Sequence, residues 1–212
     1  VLSYVILQTS IIWRFTTMIK FDSNKLAAVA VAQSTEETRY YLRGVFFTGH
    51  IAVATNGHIM TVANDMTHFE NDEGIYPISK KAQTTMKKTQ AESVKIDDGV
   101  LTVVDSMESV LHMEPCEPID GTFPDWRRVI PNTETELTSN HGTFNHVYFA
   151  KIAETAKILS KSETGVKILG EDPTKSHLVN YTNNEVFSIL MPMRDTIETG
   201  VPSWVEVSKN ES

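Results

Sequence analysis

HIAVATNGHIMTVA, residues 50–63, consists of two short apolar and β-branched runs that meet at Asn56-Gly57. Such runs suit the pleated, half-buried surface of a strand. Asn-Gly is the dipeptide that most readily takes the positive φ angles of a two-residue hairpin. The stretch therefore reads as a strand over 50–55, a turn, and a return strand over 58–63. Toward the N-terminus, 39–47 is rich in aromatic and β-branched residues and reads as a further strand. Before it, a short strand over 19–21 leads into a helix opened by Asp22 and Ser23, both good capping residues, with Leu26, Val29 and Ala30 as its apolar stripe. Toward the C-terminus, 64–74 is acidic and polar and reads as a loop.

The same order recurs downstream. A strand over 75–78 and a helix over 79–89 are followed by strands over 93–96, 100–104 and 110–114, the first pair joined at Asp97-Asp98-Gly99. A connector over 115–122 follows. A third round starts near Gly142, with a strand over 143–147, a helix to Leu159, and strands over 165–169, 177–181 and 186–190. Each round is strand, helix and three strands, a βαβββ unit, and the repeat of about 50–60 residues points to neighbouring units that share sheets. The fold class expected is α+β, with helices on one face of antiparallel sheets. Periodicity alone also fits a generic α+β domain whose elements alternate.

Composition bounds the alternatives. The 212 residues are 41% hydrophobic and 22% charged, which is ordinary for a folded domain. The formal net charge of −8 argues against a protein that coats nucleic acid with its whole surface. A local basic face remains open, because charges beyond about 10 Å are screened at physiological salt. Cys116 is the only cysteine, which excludes an internal disulfide and a thiolate metal site and fits a reducing, cytoplasmic compartment. Residues 1–13 (VLSYVILQTSIIW) are mostly apolar but shorter than the ~20 residues of a membrane helix, and Arg14 lies on the wrong side of the run for a secretory signal. Met18-Ile19-Lys20-Phe21 reads like a natural chain start, so 1–17 is expected to be an upstream extension or a partner-dependent strand. No membrane contact is expected.

Specific strings go further than the pattern. TRYYLRGV (38–45), VATNGHIM (53–60) and FPDWRRVIP (123–131) resemble the middle domain of the bacterial DNA polymerase III beta subunit, the DNA sliding clamp. LMPMR (190–194) resembles that family's C-terminal strand, and 144–159 is similar to the helix opening its last half-domain. Together the resemblance covers about 18–194, in the family's order. It implies a full clamp-like domain over 18–131, a linker over 132–138, half a domain over 139–195 and a tail over 196–212. The family's first domain and the first half of its third have no counterpart.

In the family, partners insert a short hydrophobic motif between the middle and last domains. The matching positions are Leu42, Thr55, Gly57, His58, Met60, Pro124, Arg128, Val129, Ile189, Leu190, Met191, Pro192, Met193 and Arg194. Methionines adapt to varied partners, glycine permits close backbone approach, and arginines can pair at a rim. Met191 and Met193 could instead be ordinary core residues, on one face of a strand. Ile59 departs from the family, which often has a basic residue there. In the tail, Val201-Pro202-Ser203-Trp204 could pack as an extra strand or cover the groove.

A clamp should also turn lysines toward DNA phosphates. On the second helix Lys80, Lys81, Lys87 and Lys88 fall within an arc of about 120°, opposite Ile78, Ala82 and Met86. On the third, Lys157 and Lys161 face away from the Tyr148, Ile152, Ala156 and Leu159 stripe, although Glu154 sits among them; the first offers only Lys25. A solvated helix face is the plainer reading of such a run; phosphate contacts without base readout are the one the resemblance implies.

Seven histidines and 27 acidic residues invite a search for catalysis. His68 lies in an acidic loop with Asp65, Glu70 and Asp72, but no motif sets ligand spacing, so no metal or other cofactor is expected. Ser139-Asn140-His141 and Cys116 lack any triad context, and no glycine-rich phosphate loop exists. No enzymatic activity is expected. The resemblance implies a processivity factor that encircles double-stranded DNA without sequence preference and binds a DNA polymerase and a clamp loader through the groove. Family rings contain about twelve half-units, so three per chain imply a homo-oligomer of about four copies in head-to-tail contact. The alternative is a decoy that binds partners' clamp-binding motifs without encircling DNA.

Overall fold

A computed structural model describes residues 18–66, 71–131, 142–160, 162 and 165–194. Strand β1 (Met18–Asp22) runs into helix α1 (Ser23–Ala30), capped by Asp22 Oδ1, which accepts from Lys25 N at 2.7 Å. A 3-10 turn at Tyr40–Leu42 precedes β2 (Val45–Gly49), β3 (Ile51–Thr55), β4 (Ile59–Asn64) and β5 (Asn71–Tyr76). Helix α2 (Lys80–Met86), capped by Ser79, leads to β6 (Ser93–Asp97), β7 (Val100–Val104) and β8 (Val110–Pro115). A connector with a 3-10 turn at Trp126–Val129 follows, then α3 (His146–Leu159), β9 (Lys167–Leu169), β10 (His177–Asn180) and β11 (Val186–Leu190).

The strands form two antiparallel sheets, in the orders β1-β6-β7-β8 and β5-β2-β3-β4-β11-β10-β9. The first two units thus exchange their opening strands: β1 pairs with β6 of the second, and β5 pairs with β2 of the first. The third unit extends the first unit's sheet through β4 and β11, with Met60 opposite Ile189 and Thr61 opposite Ser188. A buried hydroxyl chain crosses that seam. Ser188 Oγ lies 2.8 Å from both Thr61 Oγ1 and Tyr181 Oη, and burial, only partly offset by the bond to Ser188, pushes the Tyr181 phenol up to about 12.

Strand alternation divides the apolar residues between two cores. Phe21, Leu26, Phe47, Ile59, Leu101 and Leu190 are fully buried in the larger one, under the helices. On the other side of the seven-stranded sheet, the connector lays Phe123 and Trp126 over Leu42, Val53, Met60, Val62, Ile75 and Ile189. Phe46 and Phe123 stack there at 4.9 Å.

The α+β fold agrees with the sequence reading, as do both hairpins. Asp98 and Gly99 have φ 46° and 73°. In the other hairpin Gly57 has φ +90°, but Asn56 has no positive φ. Because Asn56 N donates to Ile59 O at 3.2 Å, the two turn residues are Gly57 and His58, one position later than the Asn-Gly reading. Several boundaries differ. Within 39–47 the chain first turns at Tyr40–Leu42, because Leu42 is drawn into the smaller core, and extends only from Val45. The expected loop 64–74 contains the start of β5, a strand with polar residues that is held at the sheet edge by pairing with β2 rather than by propensity. No strand occupies 143–147: Asn145 Oδ1 accepts from Val147 N at 3.0 Å and starts α3 at His146 instead. Helix α2 ends at Met86, earlier than 89.

Candidate functional site

The Asn56-Gly57 turn is held by its own side chains. Asn56 Oδ1 accepts from His58 N and Ile59 N, both at 3.0 Å. Thr55 Oγ1 accepts from Gly57 N at 3.0 Å and donates to Ile59 O at 2.8 Å. At Gly57 a Cβ would stand 2.5 Å from the Arg39 guanidinium, so a residue without a side chain lets Arg39 lie across the turn. Glu36 fixes that arginine with bonds of 2.7 and 3.1 Å to its Nη2 and Nε. Met191 N donates to His58 O at 2.9 Å, which brings the end of the third unit against the same turn. His58 also stacks on Tyr148 of α3, ring centroids 5.5 Å apart.

These constraints leave a depression of about 230 Å³ on the outer side of the seven-stranded sheet. The first unit contributes Arg39, Tyr41, Leu42, Thr55, Gly57, His58, Ile59 and Met60; the connector contributes Phe123, Pro124, Asp125, Trp126 and Val129; the third unit contributes Ile189 and Met191. Trp126 is buried with Arg127 4.3 Å over its ring, and no hydrogen-bond partner for its indole N–H is found among the described residues. The floor is apolar and bears aromatic and thioether side chains, while Arg39 and Asp125 supply opposite charges at its margin. Such a surface takes extended apolar side chains and has no group arranged to cut or transfer a bond.

No family model matches the chain. It is 30% identical over 177 residues to the beta sliding clamp of Caulobacter vibrioides strain NA1000 / CB15N, and equally to that of strain ATCC 19089 / CIP 103742 / CB 15, a span of 74% of this chain and 45% of each relative. Over about three quarters of its own length the chain is thus similar to beta sliding clamps. Solved clamps share the fold. The DnaN sliding clamp of Bartonella birtlesii bound to griselimycin superposes with a TM-score of 0.61 at 23% identity, over 84% of this chain and 66% of that one. The Pseudomonas aeruginosa clamp with ligand gives 0.62 at 16% identity, over the same shares. The chain therefore spans less than half the length of the curated clamps it matches.

In this clamp-like chain, Leu42, Thr55, Gly57, His58, Met60, Pro124, Val129, Ile189 and Met191 of the expected groove residues come together around the depression. Leu190 does not: it is fully buried beneath the sheet, because Ile189 beside it takes the groove face. Arg128, Pro192, Met193 and Arg194 do not line it either. Arg128, Met193 and Arg194 are exposed, and the Met193 N–H donates to Thr143 O at 2.9 Å. Arg39, Tyr41, Ile59, Phe123, Asp125 and Trp126 were not among the expected residues. Five of these lie inside the TRYYLRGV and FPDWRRVIP strings, and local turn geometry brings them in.

The helical face is thinner than expected. Lys25 is withdrawn from it, buried and paired with Asp65 at 3.3 Å and Glu185 at 2.9 Å, so it reaches no phosphate. Lys80, Lys81, Lys88 and Lys157 are exposed, and Lys161 lies outside the described residues. Lys87 bridges to Glu154 of α3 at 2.6 Å, a bond that lowers the Glu154 carboxyl below its ordinary value. Lys87, Lys88 and Lys157 nevertheless border one depression of about 620 Å³, walled by the segment that follows α2, Asn24 of α1 and the C-terminal part of α3. Because Glu154 is held low, the stability from this bridge is present above about pH 4.3 and is lost as pH falls through the lowered value. Glu154→Gln should therefore flatten the acid limb of a stability–pH curve measured by urea unfolding, by no more than about 1 kcal/mol for so exposed a pair.

Among the described residues no three His, Cys, Asp or Glu are grouped to hold a metal ion, and no helix is long and apolar enough to cross a membrane. His68 and Glu70 of the acidic loop, and 139–141, fall outside the described residues. Cys116 is buried; desolvation, then Glu114 and Glu117, push its thiol up to about 12, which keeps it protonated and inert at neutral pH.

Proposed function

We propose that the chain is a non-enzymatic processivity clamp. Its groove docks a short apolar segment of a DNA polymerase or clamp loader, and several copies close around double-stranded DNA in the cytoplasm. The observation that carries this reading is the groove itself, walled by the first unit, the connector and the third unit together. The similarity to beta sliding clamps supports it, as do the exposed lysines of α2 and α3, which suit loose phosphate contacts. Phosphate contacts carry no base readout, which lets such a complex slide.

Closure falls to other copies. Among the described residues β8 and β9, like β1 and β5 at the opposite ends, are the outer strands of their sheets, and an outer edge is a template for a strand from a neighbour. Head-to-tail contact of three-unit chains gives a ring of about four copies.

Light scattering after size exclusion, followed by retention on nicked circular DNA, tests this directly. The expected result is a particle of about four chains that stays on circles at moderate salt and leaves once they are linearised. A strict monomer at micromolar concentration, or equal loss from circular and linear DNA, contradicts encirclement.

A further inference from the structure

Residues 195–212 follow Arg194 and contain an apolar cluster, Val201, Pro202, Trp204 and Val205. The chain enters this segment at the groove. Met191 lines the depression, and only Pro192, Met193 and Arg194 separate it from Asp195. We propose that the segment around Trp204 occupies the groove of its own chain and competes there with partner peptides. The proposal rests on the reading of the groove as a peptide dock.

Three observations favour this occupant. The first is reach. Ten residues from Arg194 to Trp204 span at most about 35 Å when extended, ample to leave the rim and return, and Gly200 and Pro202 are residues suited to the reversal. The second is chemistry. The floor formed by Leu42, Met60, Trp126 and Ile189 is apolar, and Trp204 with Val201 and Val205 supplies the bulky apolar groups that such a floor takes. The third is charge. The segment carries Asp195, Glu198, Glu206 and Glu211 against one lysine, Lys209, whereas exposed Arg127, Arg128 and Arg194 stand at or near the groove margin. A tether this short gives an effective concentration on the order of 1 mM, so an intrinsic dissociation constant of about 100 μM keeps the groove mostly filled and weakens an incoming peptide about tenfold.

The test uses the full chain and a fluorescein-labelled five-residue peptide ending in Leu-Phe, titrated by fluorescence polarisation. Trp204→Ala should bind it about tenfold more tightly than the unsubstituted chain, and adding Met191→Ala should abolish the gain. Equal affinity of the unsubstituted chain and Trp204→Ala overturns the self-occupancy while leaving the groove intact. Binding by neither protein overturns the groove reading and the proposal with it. A gain that shrinks as the protein is diluted assigns the segment to a second copy's groove and overturns occupancy within one chain.

Discussion

Lys25→Met should cost the fold about 3–5 kcal/mol, the loss expected when one partner of a buried ion pair is removed. Asp65 is 1% exposed, accepts from Asp22 N at 2.6 Å and faces the Lys25 ammonium at 3.3 Å. Without the ammonium its buried carboxylate loses the cation that the fold places against it. Lys25 also bonds Glu185, which precedes β11, and so joins the first helix to the third unit. Burial alone would depress the Lys25 ammonium, but the bonds to Glu185 and Asp65 outweigh it and hold it above its ordinary range. The lysine's own titration therefore leaves this stability intact at pH 7 and removes it in alkali, as pH rises through the raised value. Urea unfolding at pH 7 measures the loss, and Lys25→Met with Asp65→Leu should recover part of it. A lysine spent on DNA phosphates would show almost none, so the same experiment separates the two roles.

Leu190→Ala is the second large effect, about 2–5 kcal/mol for a fully buried leucine. Its pattern matters more than its size. Leu190 pairs with Ile59 across the β4–β11 seam and packs in the core shared with α1 and β2. The whole described fold should therefore melt at a lower temperature in one transition, with near-ultraviolet and far-ultraviolet circular dichroism coinciding. Two separated transitions would mean that the third unit is an independent domain. Ser188→Ala in the same seam strands the Thr61 and Tyr181 hydroxyls and should cost about 1–3 kcal/mol.

Local chemistry was the most legible part of the sequence. Gly57 and Asp98-Gly99 announce positive φ angles, and the stripe of Tyr148, Ile152, Ala156 and Leu159 announces the buried side of α3. Both follow from residues a few positions apart. What the sequence hid depends on distant partners. Nothing within β5 says that it pairs with β2, or within β1 that it pairs with β6, because an edge strand takes its form from its neighbour. Lys25 looks like any surface lysine until Asp65 and Glu185 are beside it. Around the depression, the family strings mark the segments that meet there, but phase within them needed the sheet. Ile189 and Leu190 are adjacent and equally apolar, and register alone sends one to the groove and the other to the core. Trp126 and Tyr41 belong to the groove for a related reason, since each sits in or beside a 3-10 turn whose direction no periodicity reveals.

The groove is the centre of this account, and direct peptide binding tests it most plainly. A labelled Leu-Phe peptide titrated against the chain should bind saturably. Met191→Ala and Trp126→Ala should each weaken it at least about tenfold, as loss of a buried anchor does. Arg194→Ala, outside the depression, should change it less than about threefold. Saturable binding that neither Met191→Ala nor Trp126→Ala disturbs, or no binding even with Trp204 replaced, would contradict the assignment of this depression as the partner dock.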